Sequence, residues 1–212
     1  MSEARIVFED ERLIAVDKPA GQASIPGRGD IGEPLSEELS RRLGRKVFVV
    51  HRLDRDASGL IVFAKTAAAH AELCGLFEGR RVRKSYLAAV SGRVDSSGEI
   101  ATKLREFGSG RVAIDEKKGK ACLTRYKPRE LLRGATLLDV DLVTGRKHQI
   151  RAHLFSIGHP ILGDRLYGEP RPVGGAPRLM LHAWKLAVHA GPILSAEPGA
   201  DFQKVLAGLR RG

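Results

Sequence analysis

The distribution of apolar residues predicts an α+β fold in which a large mixed, mainly antiparallel sheet is flanked by a few helices. Three observations lead to this prediction. Residues 81–143 consist mostly of short strand-like segments, separated by turns that contain Gly and Ser. Residues 47–50 and 60–64 form two apolar runs, each as long as a buried strand. Helical patterns are confined to a few short segments, which leaves the sheet as the main element.

Local patterns predict each element in chain order. Residues 5–8 and 13–17 surround a polar turn and predict a hairpin. A helix over about 33–43 should stop at Gly44, and Thr66 is a suitable N-cap for a second helix. The later strands are expected at 83–91, 99–104, 111–115, 121–131, 135–143 and 178–189, and the later helices at 146–157 and 200–210.

The length of the chain limits its domain organisation. A chain of 212 residues fits one domain with a sizeable core. We therefore expect a single domain over 1–212, with its core at about 5–190 and a tail at 191–212 that contains a short helix. A monomer is expected, because the sequence contains no coiled-coil pattern and no large exposed apolar stripe.

The charge of the chain indicates a polyanionic partner. Lys and Arg number 36 against 25 Asp and Glu, which gives a formal net charge of +11. Such a surplus attracts RNA or DNA independently of base sequence, with an anionic membrane surface as the competing partner. No apolar run approaches the ~20 residues that span a bilayer, so no membrane insertion is expected. Two widely spaced cysteines fit a reducing cytoplasm.

A polar turn between the apolar runs 47–50 and 60–64 carries the first candidate residue, Asp54. Arg52 and Arg55 flank this carboxylate, so it should stay ionised at neutral pH. An ionised Asp held between two strands can act as a nucleophile or stabilise charge. From the residues alone, a salt-bridged turn without chemistry remains an open alternative.

The same turn lies in a run that resembles the catalytic motif of RluA-type RNA pseudouridine synthases. The run is H-R-L-D-x-x-x-S-G-L-x-x-F-A-K, over residues 51–65. The resemblance extends over about residues 5–190. Five further stretches match in order: D-K-P-A-G at 17–21, K-S-Y-L-A-A-V-S-G at 84–92, T-G-R-K-H-Q-I-R-A-H-L at 144–154, G-H-P-I-L-G-D at 158–164 and R-L-M-L-H-A at 178–183.

The resemblance implies a reaction and a catalytic residue. It implies that the protein converts a specific uridine of ribosomal or transfer RNA to pseudouridine, with Asp54 as the catalytic residue and no role for Asp56. It also implies an active-site cleft across the sheet. The chain is expected to begin almost directly with the catalytic domain, without a separate S4-like RNA-binding domain. Ala57 stands where the family commonly has Thr, which removes one hydroxyl from the turn.

The resemblance assigns roles to four further residues. Tyr86 is expected to stack on the flipped uracil and to be a candidate base for its C5 proton, although a half-buried strand Tyr is the alternative from propensity. Arg151 is expected to pair with the catalytic carboxylate, although a phosphate-binding or surface Arg is the alternative. Arg52 is expected to fill the space that the flipped base leaves. Leu181 is expected to close the other side of the uracil, or to be an ordinary core residue.

Three more residues complete the expected substrate contacts. Arg146 and Lys147 should lie at the N-terminus of the helix over 146–157, where backbone N–H groups also favour a phosphate. His51, next to Arg52, is included among the substrate-binding residues. His148 and His153 are five residues apart, which does not suit metal binding on one helix face, so no metal is expected.

Two other functions compete with an RNA pseudouridine synthase. No Gly-rich phosphate loop is present, so no nucleotide cofactor is expected. The implied reaction is an isomerisation, so no other cofactor is expected either. The first competitor is a non-catalytic RNA-binding or ribosome-assembly protein on the same scaffold. The intact set of Asp54, Tyr86 and Arg151 argues against it. The second is a nucleoside hydrolase for small substrates, which would not need the net charge of +11.

Overall fold

A computed structural model describes residues 3–27, 32–108, 110–168, 175–188 and 192–210. Within these ranges the chain forms eleven β-strands and four α-helices. The helices are α1 (Leu35–Leu43), α2 (Ala67–Glu78), α3 (Gln149–Ser156) and α4 (Ala200–Arg210). The strands are β1 (Arg5–Glu9), β2 (Leu13–Lys18), β3 (Phe48–Val49), β4 (Ser58–Ala64), β5 (Val82–Ser91), β6 (Gly98–Glu106), β7 (Val112–Ile114), β8 (Lys120–Leu132), β9 (Ala135–Leu142), β10 (Leu181–Val188) and β11 (Ile193–Ser195).

The chain groups into two compact units. Unit 1 comprises residues 1–84 and 182–197, and unit 2 comprises residues 85–181 and 198–212. The chain therefore passes from unit 1 to unit 2 within β5 and returns at the second residue of β10. The single catalytic domain that the sequence suggests over 1–212 stays a prediction.

Unit 1 is built on β4, whose seven residues are all buried. β2 pairs antiparallel with one edge of β4, and β1 continues the sheet as the predicted hairpin partner of β2. β10 pairs parallel with β4, and β3 and β11 add short antiparallel pairings to β4 and β10 respectively. Ala69 and Leu73 of α2 are buried in the same apolar cluster as Leu60 and Val62 of β4.

Unit 2 is an antiparallel meander-like sheet in the order β5-β9-β8-β6-β7. Most residues of the inner strand β9 are buried, and α4 buries Phe202, Val205, Leu206 and Leu209. Arg133, in the turn between β8 and β9, donates its N–H to the carbonyl of Leu209 and ties α4 to the sheet. A mixed, mainly antiparallel α+β structure is therefore confirmed.

Helix boundaries were predicted best where a local cap sets them. Thr66 accepts a hydrogen bond from Ala69 N and begins α2, and Gly44 ends α1 with a left-handed φ of 63°. α3 differs, because it begins at Gln149 instead of residue 146. His148, the residue directly before α3, takes a left-handed φ of 50°. Because an α-helix cannot include this conformation, the helix cannot extend back to residue 146. Arg146 and Lys147 therefore precede the helix, and their expected place at its N-terminus was wrong.

The four helices are short. The longest, α2, has 12 residues, and no helix in the described ranges is both long and apolar enough to cross a bilayer.

Candidate functional site

Asp54 lies on the loop between β3 and β4, on a short stretch that alternates between buried and exposed residues. Leu53 is buried and Asp54 is half-buried, whereas Arg52, Arg55 and Asp56 are exposed. The carbonyl of Asp54 accepts a hydrogen bond from Ala57 N at 3.2 Å, which turns the chain towards β4. Leu53 therefore anchors the loop in the core while the next residue carries its carboxylate near the surface.

The backbone on both sides of Asp54 is fixed by the segment 18–24. Ser24 Oγ donates to the carbonyl of Leu53 at 2.9 Å and accepts from Leu53 N at 3.1 Å. Gly21 N donates to the carbonyl of Arg55 at 2.9 Å, and Arg55 Nε returns a bond to the carbonyl of Gly21 at 3.0 Å. Because both neighbours of Asp54 are held, its backbone has little freedom to move.

Lys18 supports this arrangement from inside unit 1. Its side chain is fully buried, and its Nζ donates to the carbonyls of Pro19 and Gln22 at 2.8 Å and of Arg55 at 3.0 Å. An ammonium group has three donors, so these carbonyls offset much of the cost of removing it from water. The side chain thereby joins the segment 18–22 to the loop that carries Asp54.

A buried polar contact fixes the first residue of β4, directly after the loop that carries Asp54. Ser58 Oγ lies 2.9 Å from His182 Nδ1, and His182 Nε2 lies 2.7 Å from the carbonyl of Ala196. A carbonyl only accepts, so Nε2 carries the proton and Nδ1 accepts from the Ser58 hydroxyl. The contact holds the first residue of β4 against β10, four residues after Asp54.

His51 contacts residues of its own unit. Its Nε2 accepts a hydrogen bond from Val62 N at 3.1 Å, and its ring stacks on Phe77 with a centroid distance of 4.7 Å. Burial, with a smaller contribution from the charge of Lys84, lowers the pKa of His51 to about 3. A neutral, hydrogen-bonded imidazole supports the start of the loop, and substrate binding by His51 stays a prediction.

Tyr86 and Leu181 are buried strand residues. Tyr86 is 7% exposed and pairs in register with Val140 of β9. Beside it, Ser85 donates to the carboxylate of Asp141 at 2.7 Å. Leu181, the first residue of β10, is 4% exposed. Their predicted contacts with uracil stay predictions.

Arg151 lies on α3 and forms a two-pronged ion pair with Asp164. Its Nε lies 2.8 Å from Asp164 Oδ2, and its Nη2 lies 2.8 Å from Asp164 Oδ1. Burial by itself would raise the pKa of Asp164. The hydrogen bonds and charge of Arg151, together with the N–H groups of Leu166 and Tyr167, instead lower that pKa below its ordinary value. The predicted pairing of Arg151 with the catalytic carboxylate stays a prediction.

Arg146 and Lys147 lie on the turn before α3. The N–H of Arg146 donates to Gln149 Oε1 at 3.1 Å, and the Arg146 side chain is exposed. Lys147 Nζ forms an ion pair with the carboxylate of Glu106. Phosphate binding by these two residues stays a prediction.

His148 and His153, whose spacing does not suit metal binding, have other partners. His153 is fully buried between the hydroxyls of Thr102 and Thr124, and His148 Nδ1 lies 3.2 Å from the hydroxyl of Tyr167. Over the described ranges, no three His, Cys, Asp or Glu side chains come together as metal ligands.

The candidate residues divide between the two units. His51, Arg52 and Asp54 share one loop of unit 1, whereas Tyr86, Arg146, Lys147, Arg151 and Leu181 belong to unit 2. Sequence reasoning missed the polar residues that support them. Three of these residues lie inside the motif stretches: Lys18, Asp164 and His182. Neither their residue type nor their spacing in the sequence showed that they are buried and hydrogen-bonded.

Comparisons with known proteins agree on one family. Residues 12–156 match the family model for RNA pseudouridylate synthase. The chain is 39% identical over 207 residues to ribosomal large subunit pseudouridine synthase D of Nitrosomonas europaea, covering 90% of this chain and 60% of that protein. It is 38% identical over 191 residues to dual-specificity RNA pseudouridine synthase RluA of Vibrio cholerae, covering 87% of this chain and 76% of that protein. The chain spans 54 to 62% of the length of four synthase D relatives.

Solved structures share the fold. Human RNA pseudouridylate synthase domain containing 4 superposes with a TM-score of 0.80 at 24% identity, covering 97% of this chain and 92% of that one. Human RNA pseudouridylate synthase domain containing 1 superposes with a TM-score of 0.75 at 27% identity, covering 92% and 83% respectively.

Proposed function

Because the chain belongs to the RNA pseudouridylate synthase family, we propose that it isomerises a specific uridine of ribosomal or transfer RNA to pseudouridine. Asp54 is the catalytic residue of this proposal. The observation that carries the assignment is the loop of unit 1, where hydrogen bonds hold Leu53 and Arg55 on either side of a half-buried carboxylate. A carboxylate held in this way is pre-organised for reaction at a bound sugar.

The proposed reaction rearranges the atoms of uridine and adds no other group to it. The C1′–N1 bond of uridine breaks, uracil leaves as a delocalised anion and turns, and C5 bonds to C1′. The C5 proton is then lost and N1 gains a proton. Hydrolytic glycosidases usually use two carboxylates, one of them to protonate the leaving group or activate water. Here the base itself returns as the nucleophile, so one carboxylate suffices, acting either by attack on C1′ or by removal of a sugar proton.

The remaining residues bind and orient the RNA in this proposal. Arg52 is exposed on the same loop as Asp54, and in this proposal it fills the space left by the flipped base. Tyr86 stacks on uracil and accepts the C5 proton. Arg151 pairs with the catalytic carboxylate and orients it. Further contacts come from His51, Arg146, Lys147 and Leu181.

The setting of the reaction is also part of the proposal. We place it in the cytoplasm, with a monomer as the active species and without a nucleotide cofactor. The net charge of +11 supports an RNA substrate, because phosphate contacts provide much of the affinity for nucleic acids.

Replacing Asp54 tests the proposed function. We expect Asp54→Asn and Asp54→Ala to abolish pseudouridine formation, while the dissociation constant for RNA changes less than about threefold. Pseudouridine is mapped by carbodiimide-dependent primer-extension stops across ribosomal and transfer RNA. Purified wild-type and variant proteins are added to RNA from cells that lack the enzyme.

Asp56→Asn is the matched control, because Asp56 is an exposed carboxylate on the same loop. It should retain wild-type turnover. Turnover by Asp54→Ala would exclude Asp54 as the catalytic residue. RNA binding without any new stop from the wild type would support the non-catalytic RNA-binding function instead.

A further inference from the structure

We propose that Asp164 is a positioning residue that fixes the orientation of the Arg151 guanidinium for catalysis. This role rests on the proposed function, in which Arg151 acts on the catalytic carboxylate. Asp164 itself touches no reacting atom in the proposal. It lies in the stretch 158–164, to which the sequence assigned no chemistry.

The contact between the two side chains leaves the guanidinium little rotational freedom. Both oxygens of Asp164 are used, each at 2.8 Å from a different nitrogen of Arg151. Such parallel bonds fix the plane of the guanidinium as well as its position. The Arg151 side chain is 7% exposed and that of Asp164 is 0% exposed.

Asp164 also shapes the turn that follows it. Asp164 Oδ1 accepts hydrogen bonds from Leu166 N at 2.9 Å and Tyr167 N at 3.1 Å. The turn places the ring of Tyr167 with its centroid 5.2 Å from Cζ of Arg151. Asp164 therefore holds the edge of the guanidinium directly and its face through Tyr167.

The hydroxyl and the ring of Tyr167 are themselves fixed by charged and polar groups around them. Its hydroxyl accepts a hydrogen bond from Val112 N at 2.7 Å and lies 3.2 Å from His148 Nδ1. Arg111 lies with Cζ 5.1 Å from the ring centroid of Tyr167. The support of Arg151 thus extends from α3 through the turn 164–168 to β7.

Stability alone does not account for this pair. A buried ion pair contributes little net stability, because its partners lose their hydration, and an apolar pair in its place is often as stable. Unit 2 has other two-pronged pairs at more exposed positions, such as Arg178 with Asp201, whose carboxylate side chain is 49% exposed. Asp164 binds two of the five N–H donors of the guanidinium, so the pairing fixes the orientation of Arg151 through two separate bonds.

The first test is Asp164→Asn. The amide offers one acceptor oxygen in place of two and turns an N–H towards Arg151, so the guanidinium loses its fixed plane. We expect kcat to fall roughly 10- to 100-fold, with the dissociation constant for RNA within about twofold of wild type.

Asp201→Asn is the matched control, since it breaks a two-pronged arginine pair in the same unit. It should lower the midpoint of thermal unfolding and leave kcat unchanged. A merely structural role for Asp164 predicts the same pattern for Asp164→Asn once kcat is expressed per folded molecule. That pattern would overturn the proposal.

If the Asp164→Asn protein does not fold, Asp164→Glu tests the positioning role instead. The glutamate keeps the negative charge beside Arg151 but displaces the guanidinium by about one methylene. We expect kcat to fall at least about tenfold, with the dissociation constant for RNA within about twofold of wild type. A folded Asp164→Glu protein with wild-type kcat would contradict a positioning role.

The same assays separate this inference from the proposed function. Wild-type turnover together with unaltered kcat in the folded Asp164 variants overturns the role of Asp164 alone. Absence of pseudouridine formation by the wild type on every RNA tested overturns the function and the role together.

Discussion

His153 illustrates how unit 2 keeps polar side chains in its interior. Its Nδ1 lies 2.9 Å from Thr124 Oγ1 and its Nε2 lies 3.1 Å from Thr102 Oγ1. Both ring nitrogens therefore have hydroxyl partners, which can donate or accept as a neutral imidazole requires. Burial lowers the pKa of His153 to about 4. The side chain is thus neutral in the folded protein at any pH well above that value.

This histidine should make the protein less stable in mild acid. In the unfolded chain a histidine has a pKa of about 6.5, so below that pH the unfolded state binds a proton that the folded state does not. The free energy of unfolding therefore falls as the pH is lowered from about 6.5 towards 4, at no more than about 1.4 kcal/mol per pH unit. Above pH 7 the contribution is constant.

Replacing the residue tests this prediction. We expect His153→Gln to be less stable than wild type at pH 7.5 but to lose about 1 kcal/mol less per pH unit between pH 6.5 and 5. Urea unfolding at several pH values measures both quantities. Equal slopes for the variant and the wild type would show that protonation of His153 is not linked to folding.

The pairing of β4 with β10 restricts the chain directly after the loop that carries Asp54. Gly59 has a φ of 109°, and a Cβ at this position would lie 2.3 Å from the carbonyl oxygen of Ala183. The two backbones therefore approach more closely than any other residue would allow. The approach keeps β4 in register with His182, the partner of Ser58.

Alanine at this position should be strongly destabilising. We expect Gly59→Ala to lower the free energy of unfolding by about 3 kcal/mol, because both the left-handed φ and the backbone contact are unfavourable. Gly75→Ala is the control, since Gly75 lies inside α2 of the same unit and a Cβ there meets nothing within 4 Å. That change should stabilise the protein by about 0.5–1 kcal/mol. Chemical unfolding of the two variants distinguishes them, and a mild effect of Gly59→Ala would mean that β10 can shift.

At the scale of the whole molecule, the dominant property is the positive charge. The net charge is +11, although many arginines already have carboxylate partners, as in the pair of Arg93 with Asp95. Arg146 is exposed and, over the described ranges, has no carboxylate within ion-pair distance. Arginines without a carboxylate partner are better suited to phosphate contacts, because no internal ion pair has to be broken.

Binding of RNA should therefore depend strongly on salt. We expect the dissociation constant to rise at least about tenfold between 50 and 200 mM salt, with a linear relation between its logarithm and that of the salt concentration. Arg146→Gln should reduce the slope by about one, whereas Arg93→Gln should leave it unchanged. Fluorescence titrations with a structured RNA measure the slopes. Equal slopes for the two variants would remove Arg146 from the set of phosphate contacts.

Much of the secondary structure was predictable because its causes are local. Thr66 and Gly44 set helix ends through contacts within a few residues, and alternating apolar side chains marked the strands of unit 2. The start of α3 was not predictable in the same way. Gln149 accepts from Arg146 N and also donates to Leu123 O and Thr124 Oγ1 on β8, so a distant strand helps to decide where the helix begins.

The sequence by itself determined the α+β class, most element positions, the family and the loop that carries Asp54, since these depend on periodicity, caps and contiguous motifs. Only the tertiary structure decided which polar residues support the candidate site. Lys18 meets Arg55 across 37 positions and Ser58 meets His182 across 124. Arg151 and Asp164 become a buried pair only when the turn after Gly163 folds back onto α3. The free energy of a buried polar group depends on partners that the chain brings together in space, and local sequence does not encode which partners these are.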